Sequence, residues 1–160
     1  MAKRRKKKPL RLIYPSVGAL PARFAADFVG RVLVFSDASL KRQGGLAAVI
    51  FEQPEAEPLV LTRSVPSQGS NELELMAALF ALEQAEAHFP GQALALFSDN
   101  HDGVCRLSRA LELGMAQDAE LREMLNGKGL PKGMQVRWIK AHASCRGNLL
   151  ADQHAAEAAA

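Results

Sequence analysis

The chain has 160 residues, 48% apolar and 23% charged; this balance excludes a disordered, collagen-like or disulfide-framework protein, and the length predicts one domain with appendages. Its net charge of +3 hides an asymmetry, because seven of the 20 bases (Lys3, Arg4, Arg5, Lys6, Lys7, Lys8 and Arg11) lie within the first 11 positions and no acid does. Residues 12–160 carry 13 bases against 17 acids, net −4, so the basicity belongs to a tail that can bind polyanions by displacing their counterions.

The longest apolar run, Leu75 to Leu82, has eight residues, against roughly 20 for a membrane span. Arg11, Pro15 and Pro21 interrupt the apolar stretch that a signal peptide needs. Cys105 and Cys145 are too few for a disulfide framework and lack metal-ligand spacing. The expected setting is cytoplasmic, or nuclear in a eukaryotic host.

Residues 12–30, with two prolines and no sustained period, read as a linker containing a short helix around Ala22 to Phe28. Val32 to Phe35 is a continuous apolar run suited to a strand buried on both faces, ending at Ser36, Asp37, Ala38 and Ser39. After Gly44 and Gly45, Leu46 to Phe51 reads as a second strand and Leu59 to Val65 as a third, giving an antiparallel meander. Leu75, Ala78, Leu79 and Leu82 recur at helical spacing, which predicts a core helix from Asn71 to about His88, stopped by Pro90 and Gly91. Ala93 to Phe97 is a fourth strand, ending at Ser98 and Asp99. Helices follow to Leu113 and over about Gln117 to Leu125, then a strand at Gln135 to Ile139 and an alanine-rich helix from about Asn148. Trp138 reads as strand core.

In an open α/β sheet, functional groups collect beyond strand ends and at helix termini. Asp37 and Asp99 each follow an apolar strand, Glu74 lies in the first turn of the long helix, and Asp152 lies ten residues after His142. Each also has a bland role. Asn71 and Glu74 have capping-box spacing, Asp99 could cap the next helix, Asp37 could close a turn, and Asp152 and His142 could be surface residues.

Together their contexts resemble one family. Phe35-Ser36-Asp37-Ala38-Ser39, Asn71-Glu72-Leu73-Glu74-Leu75-Met76-Ala77-Ala78, Phe97-Ser98-Asp99, and Ile139-Lys140-Ala141-His142-Ala143 with Asp152 are similar to the motifs of type I ribonuclease H, over residues 31 to about 158. The resemblance implies the ribonuclease H-like α/β fold: a mixed five-stranded sheet, three antiparallel strands followed by parallel ones, with helices on both faces. It also implies a metal-dependent endonuclease that hydrolyses the RNA strand of RNA–DNA hybrids with two Mg²⁺ ions, Mn²⁺ being a possible substitute. By the same resemblance Asp37 bridges both ions, Glu74 and Asp99 hold the one nearer the attacking water, Asp152 supports the other, and His142 handles protons or product departure. Asn71 and Ser70 match substrate-contacting positions; Ser39, Lys41, Arg42 and His101 are substrate candidates because they flank the acids.

Three departures stand out. Ala38 replaces the usual glycine, the loop leading to Gly44 is short, and the stretch between Asp99 and His142 lacks room for the basic protrusion of many bacterial members. The expected compensation is phosphate contact by the basic tail of a monomeric protein. Two other readings use the same acids: a non-catalytic hybrid- or duplex-binding module, and a DNA-junction nuclease of the same broad fold.

Overall fold

The computed structural model describes residues 19–20, 24, 26–139 and 145–160. Its elements are a 3₁₀ turn (Ala26–Phe28), β1 (Val32–Leu40), β2 (Gly44–Phe51), β3 (Leu59–Val65), α1 (Ser70–His88), β4 (Leu94–Ser98), α2 (His101–Leu113), α3 (Ala119–Met124), β5 (Gln135–Trp138) and α4 (Arg146–Ala159). The five strands form one sheet in the order β3-β2-β1-β4-β5. β1, β2 and β3 pair antiparallel, as the apolar runs and short connections predict, and β4 and β5 add on parallel, as the family resemblance implies.

Alternation along the strands sends side chains into two cores. Val32, Val34, Leu46, Ala48, Ile50, Leu94 and Leu96 pack under α1, with Val104 and Leu107 of α2 and Leu121 of α3. Leu33, Phe35, Val49, Phe51, Ala95 and Phe97 face Ala151 of α4. Ala19, Leu20 and Phe28, from the stretch read as a linker, are buried in this second core; Ala19 N–H donates to the Pro54 carbonyl, and its own carbonyl accepts from Gly147 N–H.

Several boundaries differ from the sequence reading, each for a physical reason. β1 continues past its apolar run to Leu40 because β2 stays paired with it down to Leu40↔Gly44. Gly44 and Gly45 therefore belong to β2 and not to a turn before it. A Cβ at Gly45 would overlap the backbone of Ala155 and Ala159, so the bare glycine lets the end of α4 lie directly on the sheet. That helix end is also held by Gln43, whose Nε2 donates to the Ala158 and Ala160 carbonyls, and by Ser64 Oγ on Ala158. The last helix starts at Arg146, two residues before the alanine-rich stretch. Gly114 takes a φ of 87°, a region open to glycine, and ends α2 as expected.

Arg106 of α2 meets Asp118, the N-cap of α3, through two 2.7 Å bonds and Glu120 through a 2.9 Å bond. The arginine holds the Asp118 carboxyl at about 2, well below its ordinary range. Both partners of the Arg106–Asp118 pair are partly exposed, so it contributes about 1 kcal/mol or less and serves mainly to orient α3 against α2.

Candidate active site

The register of β1 and β4 creates a notch. Their parallel pairing runs from Val32↔Leu94 to Phe35↔Phe97, after which β1 continues beside β2 alone. Asp37 and Asp99 each stand two residues beyond that last pair, so the two strands deliver them to the same level of the same sheet end. Glu74 comes from the first turns of α1, which packs on the sheet through Leu73 and Leu75 on either side of it. Carboxylate oxygens of Asp37, Glu74 and Asp99 lie within 4.8 Å of one another.

The bland roles are filled by other residues. α1 begins at Ser70 with Gly69 as its N-cap, no side chain caps it, and the Glu72 carboxylate lies over Gly69, so Asn71 and Glu74 form no capping box. The N-cap of α2 is Asn100, not Asp99. Asp37 is inside a strand, with its Oδ1 accepting from Ala38 N–H at 2.9 Å, and closes no turn.

Acids brought together in a half-closed notch resist ionisation. Burial, then the charge of Asp99, pushes Asp37 up to about 7, with Asp152 adding to the rise. Burial, then Asp37 and Asp99, pushes Glu74 up to about 9. Glu74 Oε1 is buried and has no hydrogen-bond partner among the described residues. A buried carboxylate oxygen with no donor, among like charges, fits a cation: hard oxygen ligands at this spacing suit a divalent ion, whose charge would relieve the repulsion.

The family model for RNase H matches residues 30–160. The chain belongs to the RNase H family. No curated protein matches it. Among solved structures, it is similar to LC11 ribonuclease H1, isolated from compost by a metagenomic approach: 15% identity, TM-score 0.59, covering 81% of this chain and 96% of that one. Ribonuclease H1 of the halophilic archaeon Halobacterium salinarum gives 21% identity and TM-score 0.56, covering 81% and 97%. The N-terminal RNase H domain of Rv2228c from Mycobacterium tuberculosis gives 15% identity and TM-score 0.61, covering 81% and 93%. These likenesses show the fold: the mixed five-stranded sheet of the ribonuclease H-like class.

The other residues singled out in this RNase H chain are arranged around the notch to different degrees. Asp152 is exposed on α4 and is not one of the clustered acids, although its charge reaches Asp37. His142 lies outside the described residues. Ser70 and Asn71 are exposed at the start of α1 and His101 at the start of α2. Ser39 is half-buried near the end of β1. Lys41 and Arg42 occupy the exposed turn into β2, four and five residues beyond Asp37. They overhang the same sheet end and are not part of the acid cluster.

Two residues at the rim were not singled out. Trp138, read from sequence as strand core, is 48% exposed; its indole N–H donates to the Asp99 carbonyl at 3.2 Å, and the His101 ring stands edge-on to it at 5.4 Å. Its pairing with Ser98 puts it beside Asp99, a relation that exists only once β5 is placed next to β4. Asn100 was legible in principle, as an asparagine preceding a helical stretch by one residue.

Proposed function

We propose that this protein is an endoribonuclease that hydrolyses the RNA strand of RNA–DNA hybrids with two divalent cations, Mg²⁺ by the hardness of its ligands. The observation that carries the reading is the convergence of Asp37, Glu74 and Asp99 at the end of the sheet in a chain of the RNase H family. A structure of LC11 ribonuclease H1, 13% identical over 81% of this chain and 100% of that one at TM-score 0.56, was determined in complex with an RNA/DNA hybrid. That likeness supports a hybrid as the substrate class.

Asp37, Glu74 and Asp99 would hold the ions, with Asp152 alongside, and the bound ions supply an activated water and neutralise charge on the phosphate. The protein's own part is to fix the acids at one level of the sheet. Ala38 N–H steadies Asp37, and the Trp138 indole holds the backbone of Asp99. Asn71, Ser70 and His101 flank the acids from two helix starts and would contact the strands; Ser39, Lys41 and Arg42 border them from β1 and its turn. His142 would pass protons or help product leave. The protein would act as a cytoplasmic monomer.

The deciding experiment follows an end-labelled RNA strand in a hybrid, beside matched RNA and DNA duplexes, with Mg²⁺, with chelator, and with Asp99→Asn. Cutting confined to the hybrid's RNA, dependent on metal and lost in the variant, is the expected result. Binding without cutting under both Mg²⁺ and Mn²⁺ would point to a non-catalytic module, and cutting of the DNA duplex to the other nuclease.

His142→Ala is expected to slow turnover while leaving metal affinity, measured by calorimetry, close to wild type; loss of metal binding would refute the role. Deleting residues 1–11 is expected to weaken hybrid binding and to flatten its salt dependence, while activity on saturating substrate survives. Every phosphate that the tail neutralises adds about 0.9 to the steepness of log affinity against log salt on a B-form duplex, and a hybrid should show a similar dependence. Unchanged affinity and an unchanged slope would exclude a gripping role for the tail.

A further inference from the structure

Asn100 ties the start of α1 to the start of α2. Its backbone N–H donates to Ser98 Oγ at 3.1 Å, its Oδ1 accepts from Gly103 N–H at 2.6 Å, and its Nδ2 donates to Asn71 Oδ1 at 3.2 Å. This chain of bonds fixes the orientation of both amides by chemistry. A backbone N–H can only donate, so the Asn100 atom against Gly103 is the oxygen. The atom turned to Asn71 is then the NH₂ group, and Asn71 must meet it with its own oxygen. Asn71 is exposed, and among the described residues its Nδ2 has no hydrogen-bond partner. What it keeps for a ligand is a pair of N–H donors.

We propose that Asn100 is a positioning residue that holds Asn71 as a donor-only contact for hydrogen-bond acceptors on the nucleic acid. The inference rests on the hybrid-cleaving reading and deepens it. Every base pair shows acceptors in the minor groove, purine N3 and pyrimidine O2, and only guanine adds a donor there. Ribose and phosphate oxygens are acceptors as well. A side chain that offers only N–H groups therefore finds a partner in any sequence, whereas an untethered amide must first give up its freedom to turn and swing before it makes the same bond. Sequence tolerance at this point of the site is set by a residue that need not touch the substrate.

The test separates positioning from folding. Asn100→Ser retains a good helix cap and adds no charge, but removes the donor to Asn71. On a mixed-sequence, end-labelled hybrid its KM is expected to rise about three- to tenfold, the cost of ordering an Asn71 side chain that is no longer held, with kcat within about twofold. Asn71→Ala should raise KM at least as much, and the double variant should be no worse than Asn71→Ala alone, because the first residue acts only through the second. Additive effects, an unchanged KM, or a fall in kcat matched by a fall in melting temperature would overturn the assignment while leaving the nuclease reading in place. A wild-type protein that neither binds nor cuts hybrid would overturn both.

Discussion

Asp37→Asn should abolish cleavage and at the same time raise the melting temperature of the metal-free protein at pH 8. The reason is that the notch holds its acids against their preference. Asp37 is raised from 3.8 to about 7 and Glu74 from 4.5 to about 9, first by burial and then by the neighbouring carboxylates. The folded state thus keeps protons that the unfolded chain has released. Their stabilisation is complete below the unfolded values near 4 and is lost as pH rises, through about 7 for Asp37 and about 9 for Glu74. At pH 8 the wild-type fold bears an ionised, buried Asp37 beside Asp99.

Asparagine removes that charge, can still accept from Ala38 N–H, and lets Glu74 ionise more easily. A tenfold change in an ionisation equilibrium corresponds to about 1.4 kcal/mol, so the gain is on the order of 2 to 4 kcal/mol, or roughly 5 to 10 °C in a protein of this size. Thermal scans of both proteins in chelator at pH 5 and pH 8 check it, with the gap narrowing at pH 5. Adding Mg²⁺ should stabilise wild type much more than the variant, because a ligand that binds only the folded state adds its binding energy to stability. A variant no more stable than wild type at pH 8 in chelator would mean that the carboxylates are not in conflict, and the account of the cluster as a cation site would lose its physical basis.

The same residues show how far the sequence could be read. Strand and helix order followed from apolar runs and periodicity, because each element buries a face that its own sequence must supply. Asp37 and Asp99 were visible as acids directly after such runs, and Glu74 as an acid on a core helix. Their bland roles could not be dismissed from sequence, because dismissal depends on neighbours: Asn100 caps α2, and Glu72 covers the start of α1. Strand alternation put Trp138 in the core, but the short edge strand β5 leaves it half-exposed against Asp99. Sequence shows the residues along one strand, while the site is assembled from register between strands.

Gly147→Ala should destabilise the fold severely. Gly147 lies in the first turn of α4, and a Cβ there would overlap the ring of Phe35. That ring has nowhere to go: it is fully buried, stacked on Phe97 at 4.9 Å and edge-on to Phe51 at 5.8 Å. The helix cannot easily lift, because the Gly147 amide is bonded to the Ala19 carbonyl and the far end of α4 is clamped to β2 through Gly45 and Gln43. Overpacking of this kind costs about 1 to 3 kcal/mol and sometimes more; with both neighbours fixed, about 3 kcal/mol is expected by urea denaturation. Phe35 stands two residues before Asp37 on β1, so the strain falls directly beneath the acids and activity should drop with stability. Phe35→Leu leaves a partial void on its own and should also destabilise, yet the double variant should be more stable than Gly147→Ala, because the smaller side chain makes room for the new methyl. Strictly additive losses would show that the new methyl does not press on Phe35, and that α4 does not set the floor of the site.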